Sequence, residues 1–162
     1  MFKIPQGAIQ RHQLLSAMVQ WLYQVSDEAG RTHPMRILEI GSFEGQSALV
    51  WSAAVSDHWK AGGHVMCIDP WRQYHTEGMV KSSLTYQQMD AGLKDGSIYE
   101  NFLLNIKGAA ENCPIQHKKG TLAQNFAELS DTRFDLVYID GDHAASGVAA
   151  DLALGQQLVR EY

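Results

Sequence analysis

The chain has 162 residues, 45% hydrophobic and 19% charged, with a formal net charge of -5. That is enough for one buried core, not for two independent domains. With no basic block there is no electrostatic drive toward a nucleic-acid backbone. No apolar run approaches the roughly 20 residues that span a bilayer. No charged leader with an apolar run opens the sequence, so a cytoplasmic protein with neither nucleic-acid nor membrane partner is expected.

The first expected element is an amphipathic helix over residues 13–28, with Leu14, Leu15, Met18, Trp21, Leu22 and Val25 as its inner stripe. It belongs to a helical lead over residues 1–34. The apolar run 36–40 reads as a buried parallel strand, 45–59 as a helix with Trp51 and Trp59 in the core, and 64–69 as a second strand. Residues 70–98 lack a clear period and are expected to form an irregular insertion or lid with one short helix. There Trp71, Arg72, Tyr74 and His75 either line an acceptor site or pack. A helix over 99–107, a weak strand at 115–119, a helix over 122–129, a strand over 134–140 and a helix over 144–162 complete the pattern. The alternation predicts an α/β, doubly wound, mostly parallel sheet of order 3-2-1-4 in a single domain. Cys67 and Cys113 lie in neither metal-ligand nor redox spacing and are expected to be reduced; His12, His33, His58, His64 and His117 show no ligand spacing.

Between the first strand and the next helix runs Glu39-Ile40-Gly41-Ser42-Phe43-Glu44-Gly45-Gln46-Ser47. Gly41 can take positive φ, Gly45 lets the helix start pack closely, and Ser47 adds a hydroxyl beside the free amides of the first helical turn, a nest suited to a carboxylate. A dinucleotide fingerprint would need a second glycine where Ser42 and Phe43 stand, which weakens an NAD reading. The spacing Gly41-x-x-x-Gly45-x-Ser47 after Glu39 resembles the first motif of class I methyltransferases, which holds the methionine moiety of S-adenosylmethionine. Asp69, ending the second strand, can accept the hydroxyls of a ribose or cap the turn before Pro70. Gly120 and Thr121 can meet an adenine edge or form a turn and helix cap.

Asp140-Gly141-Asp142-His143 places two carboxylates and an imidazole at the carboxyl end of a buried strand. Like charges so close call for a cation or a shared proton. The runs Cys67-Ile68-Asp69-Pro70-Trp71 and 134–143 resemble the macrocin-type small-molecule O-methyltransferases. The resemblance implies a cofactor site from Glu39, Gly41, Ser42, Gly45, Ser47, Asp69, Gly120, Thr121 and Asp140. It further implies magnesium at Asp140, Asp142 as the base that deprotonates a hydroxyl, and His143 tuning that base or positioning substrate. The plain alternative has Asp142 capping the last helix and Asp140 bonding backbone amides.

Members of that group continue into a fifth strand with another acidic pair and two further strands. The sequence is therefore expected to represent either a form truncated before the fifth strand or a homo-oligomer that covers the fourth-strand edge. Three functional expectations stand: transfer of a methyl group to a small-molecule hydroxyl, a cofactor-binding module without catalysis, and an NAD or nucleotide-sugar enzyme on the same sheet.

Overall fold

The computed structural model describes residues 8–30 and 32–161. Strands β1 (Met35–Ile40), β2 (Gly63–Asp69), β3 (Ile115–Lys119) and β4 (Leu136–Ile139) form one parallel sheet of order β3-β2-β1-β4, as the alternation of elements predicts. Around it lie α1 (Ala8–Glu28), α2 (Gln46–His58), α3 (Glu77–Ser82), α4 (Leu84–Asp95), α5 (Ser97–Asn105), α6 (Leu122–Leu129) and α7 (Ala145–Leu158). The result is the Rossmann-like α/β arrangement. In register, Ile40 faces Ile68 on β2 and Ile139 on β4, which aligns three carboxyl ends beside one another.

Strand alternation divides the core between the two faces. Met35 and Ile37 join Trp51, Val55, Trp59, Val65 and Phe102 on one side, while Leu38 and Ile40 join Ile68, Leu122, Phe134 and Leu158 on the other. At the amino edge, Asp135 is a buried anchor. It accepts the Arg36 amide at 2.7 Å and the Arg160 side chain at 2.8 Å, and it meets His33 Nε2 at 2.8 Å. This ties β1 on one side and the tail after α7 on the other to the start of β4, at the end away from the glycine turn.

Three expectations need correction. First, α1 begins at Ala8, because no glycine or proline interrupts the chain between there and residue 13. Its inner face is Leu15, Val19 and Ser26; Leu14 and Trp21, expected inside, are 62% and 60% exposed. The helix carries apolar residues on two neighbouring faces, and packing on α2 takes only one. Second, residues 70–98 are mostly helical. Thr76 caps α3 by accepting the Met79 amide, Ser83 caps α4, and Gly96 at φ +84 separates α4 from α5. No residue of α3 and only Gly92 and Leu93 of α4 are buried, so neither helix carries an apolar period, but their caps are readable in the sequence. Third, α7 ends at Leu158, and Leu152, expected inward, is exposed. Beyond α7, Val159 bridges Phe134 in parallel sense: the Phe134 amide donates to the Leu158 carbonyl and the Arg160 amide to the Phe134 carbonyl, both at 2.8 Å. The outer edge of β4 is thus partly paired at its amino end by the chain itself.

Candidate functional site

The turn after β1 is held by backbone on every side. Gly41 has φ +88, and its amide donates to the Ile68 carbonyl at 2.8 Å. A Cβ there would lie 2.4 Å from the Asp140 carbonyl oxygen and 2.4 Å from the Gly141 Cα, so the close passage of β1 past the end of β4 requires glycine. Gly45, at φ +80, is the N-cap of α2, and a Cβ there would meet the Phe102 ring at 2.9 Å. The packing partner of Gly45 is therefore α5, through Phe102, which the sequence marks only as an inner helix residue.

Asp69 touches this turn directly. Its Oδ2 accepts the Phe43 amide at 2.9 Å and its Oδ1 the Trp71 amide at 2.6 Å, while the Trp71 indole N–H donates to the Phe43 carbonyl at 2.7 Å. Phe43 and Trp71 are the two non-glycine residues described with positive φ, at 47° and 42°. The carboxylate therefore sustains two unfavourable backbone conformations at once. Burial raises the Asp69 pKa above its ordinary 3.8, against the opposing pull of the Phe43, Trp71 and Ser42 amides. A ribose would have to share oxygens already engaged by amides, using their remaining lone pairs. Trp71 is buried against Tyr99 and Phe102, so of the two roles open to it, packing is the one described.

Glu39, expected among the cofactor contacts, is fully buried on the α2 side of β1, the side its strand parity dictates. The Trp51 indole donates to it at 3.2 Å and the Cys67 thiol at 3.6 Å. Burial drives its pKa above 4.5, opposed by the Ser47, Ser42, Cys67 and Trp51 side chains. It supports the turn from beneath, closed off from solvent. Ser42 and Ser47 are likewise buried.

Of the two roles open to Gly120 and Thr121, the turn and helix cap is the one the structure describes. The Gly120 amide donates to the Asp69 carbonyl at 3.0 Å, the Thr121 amide to Gln124 Oε1 at 2.8 Å, and Thr121 caps α6 in a reciprocal capping box. Neither amide is left for a ring edge. By contrast, α2 has no side-chain cap at Gly45. Its first amides, at the carboxyl edge beside Asp69, suit an anionic group such as an amino-acid carboxylate.

At the end of β4, Asp140 pairs with Arg11 of α1, and the Arg11 guanidinium lies 5.9 Å from the Tyr138 ring centroid. Asp142 is exposed and accepts the Ala144 amide on Oδ1 at 2.9 Å, an Asx turn leading into α7. The cap residue of α7 is Ala144, not Asp142. His143 is exposed. Asp151 of α7, which no sequence motif singles out, lies close by: its pKa is raised by burial and then by the charge of Asp142. The Tyr74 pKa is raised by burial and further by the charges of Asp69, Tyr86, Asp140 and Asp142.

Magnesium does not fit this donor set. Asp140 is turned to a guanidinium and Asp142 to a backbone amide. Among the described residues, no group of three His, Cys, Asp or Glu is placed to hold a metal ion, whereas a hard divalent cation takes about six oxygens.

A family model described as a methyltransferase domain matches residues 38–161. Comparison with curated proteins gives no match. Among solved structures, cofactor-bound Rv0187 from MTB is similar at 16% identity and a TM-score of 0.53, covering 98% of this chain and 56% of its own. The O-methyltransferase from Bacillus cereus, in complex with SAH, is similar at 17% and 0.53, covering 98% and 54%. The calicheamicin methyltransferase CalS11 is similar at 14% and 0.54, covering 96% and 62%. At these identities the likeness shows a shared fold, and the chain spans just over half the length of these structures. The matched span holds the glycine turn, Asp69 and the acidic end of β4, and it includes most of the sequence: the chain belongs to the methyltransferase-domain family.

Proposed function

We propose that this chain binds S-adenosylmethionine at the carboxyl edge of its sheet and takes part in methyl transfer to a small-molecule hydroxyl. One observation carries the reading: the glycine turn, Asp69 and the uncapped start of α2 meet at a single point beside the end of β1. The likeness to an O-methyltransferase in complex with SAH supports it. The α2 amides hold the carboxylate of the cofactor, Asp69 meets the ribose, and Gly41, Ser42, Gly45 and Ser47 shape the passage between them. When bound, the cofactor supplies a methyl group activated on a positively charged sulfur. The chain then has only to orient an acceptor and take its proton, and Asp142 Oδ2, the oxygen not engaged by Ala144, receives it, with His143 beside it.

Calorimetric titration with S-adenosylhomocysteine and then NAD tests the site. Binding of the first in the micromolar range, about -8 kcal/mol, with none of the second, is expected. Binding of NAD alone overturns the reading. Asp142→Asn should keep that affinity and lower methyl transfer by about 100-fold in an assay with catechol, sugar and macrolide acceptors. Intact binding with no transfer by the unsubstituted chain leaves a cofactor-binding module in place of an enzyme.

The partner this reading carries is a second copy on the outer edge of β4, where no strand of the described residues pairs with Leu136–Ile139. Sedimentation velocity at micromolar concentration should then give a dimer. A single monomer boundary removes that partner.

A further inference from the structure

We propose that Arg11 stands where a divalent cation would otherwise neutralise the acidic end of β4, so that Asp140 is charge-balanced from within the chain. The position of Arg11 is built, not incidental. Arg11, Leu15 and Val19 recur every four residues on one face of α1, and Leu15 and Val19 are buried in the core, so the docked face of the helix delivers the guanidinium to Asp140 across 129 residues of sequence. Its Cζ lies over the Tyr138 ring, 5.9 Å from the centroid, and that ring packs edge-on against buried Trp51 at 5.4 Å. The main chain of Asp140 is fixed as well: its amide donates to the Ile40 carbonyl at 2.8 Å, and its carbonyl oxygen backs onto Gly41. A planar guanidinium can engage a carboxylate through a fork of N–H donors, without the full oxygen shell that magnesium demands.

The catalytic consequence, methyl transfer that needs no magnesium, rests on the proposed function. The charge balance does not, and three measurements on the full chain separate the two. First, water-proton relaxation with MnCl2 should show no saturable one-to-one site in the unsubstituted chain. Such a site, abolished by Asp140→Asn, overturns the proposal. Second, a double-mutant cycle of Arg11→Gln and Asp140→Asn in urea should give a coupling of about threefold or more in the unfolding equilibrium. A coupling of zero overturns it, even if each variant alone is less stable. Third, the affinity for S-adenosylhomocysteine should change by less than about twofold between EDTA and excess MgCl2. A tenfold gain with magnesium overturns the proposal. Failure to bind S-adenosylhomocysteine at all counts against the proposed function, while the first two measurements still decide the role of Arg11.

Discussion

Gly41→Ala is expected to destabilise the protein by about 4 kcal/mol in urea or guanidinium denaturation, near the upper limit for a single substitution. Two costs combine. An alanine must adopt a φ of +88°, and its methyl group is pushed to 2.4 Å from backbone atoms of Asp140 and Gly141. Backbone cannot swing aside like the tip of a side chain, so the ends of β1 and β4 must part. Gly30→Ala is the control. Gly30 also has positive φ, at 69°, but nothing lies within 4 Å of the place its methyl group would occupy, so only the conformational cost of about 1 kcal/mol should appear. Equal losses in the two variants would mean that the close approach at Gly41 does not matter. Where the Gly41 variant stays folded, its affinity for S-adenosylhomocysteine should fall with its stability, because the same residues form the turn.

Asp69→Ala should cost about 3 kcal/mol, since it leaves two buried amide donors without an acceptor. Those amides belong to Phe43 and Trp71, both at positive φ, and nothing else described accepts them. Asp69→Asn restores one acceptor oxygen but sets an amide group against a backbone N–H, so about half the loss should remain. The pH dependence follows from the direction of the shifts. Asp69 and Glu39 both ionise less readily in the folded chain than in the unfolded one, because burial penalises their charged forms. Just above the ordinary values of 3.8 and 4.5 the folded state therefore holds more protons than the unfolded state. Below those values the two groups impose no penalty, and above them stability should decline as pH rises until both are ionised in the fold. Glu39→Gln should flatten that decline when urea midpoints are compared from about pH 4 to pH 7. An unchanged slope would assign the decline to other groups.

Three of the four strands are legible in the sequence because they are short apolar runs bounded by glycine or aspartate, whereas β3, Ile-Gln-His-Lys-Lys, carries only a weak signal. Run and spacing alone place Ile37 to Ile40, Val65 to Asp69 and Leu136 to Ile139, and the strand order follows from crossover handedness. The glycine turn and Asp69 are legible as neighbours for the same reason: both terminate strands that pair in register. What periodicity does not reveal is which of two apolar faces a helix buries, so Trp21 lies outside against expectation while Trp51 and Trp59 lie inside as expected. Nor does local pattern separate a residue that meets a ligand from one that holds up the loop that does. Glu39 and Thr121 have the right types at the right positions, yet their polar groups are satisfied within the fold. Arg11 leaves no local trace at all, since its partner lies at the end of the last strand.

The single rung between Phe134 and Val159 bears on how two molecules could join. A two-fold axis through the rim of the sheet makes facing segments run in opposite directions, whereas the tail already laid beside Phe134 runs with it. Symmetric association at that rim must therefore either be confined to the four residues of β4 beyond the rung or dislodge Val159 and Arg160, breaking the Arg160 contact with Asp135 as it does so. Only an association reaching past those four residues would compete with the carboxyl-terminal tail for one line of peptide groups.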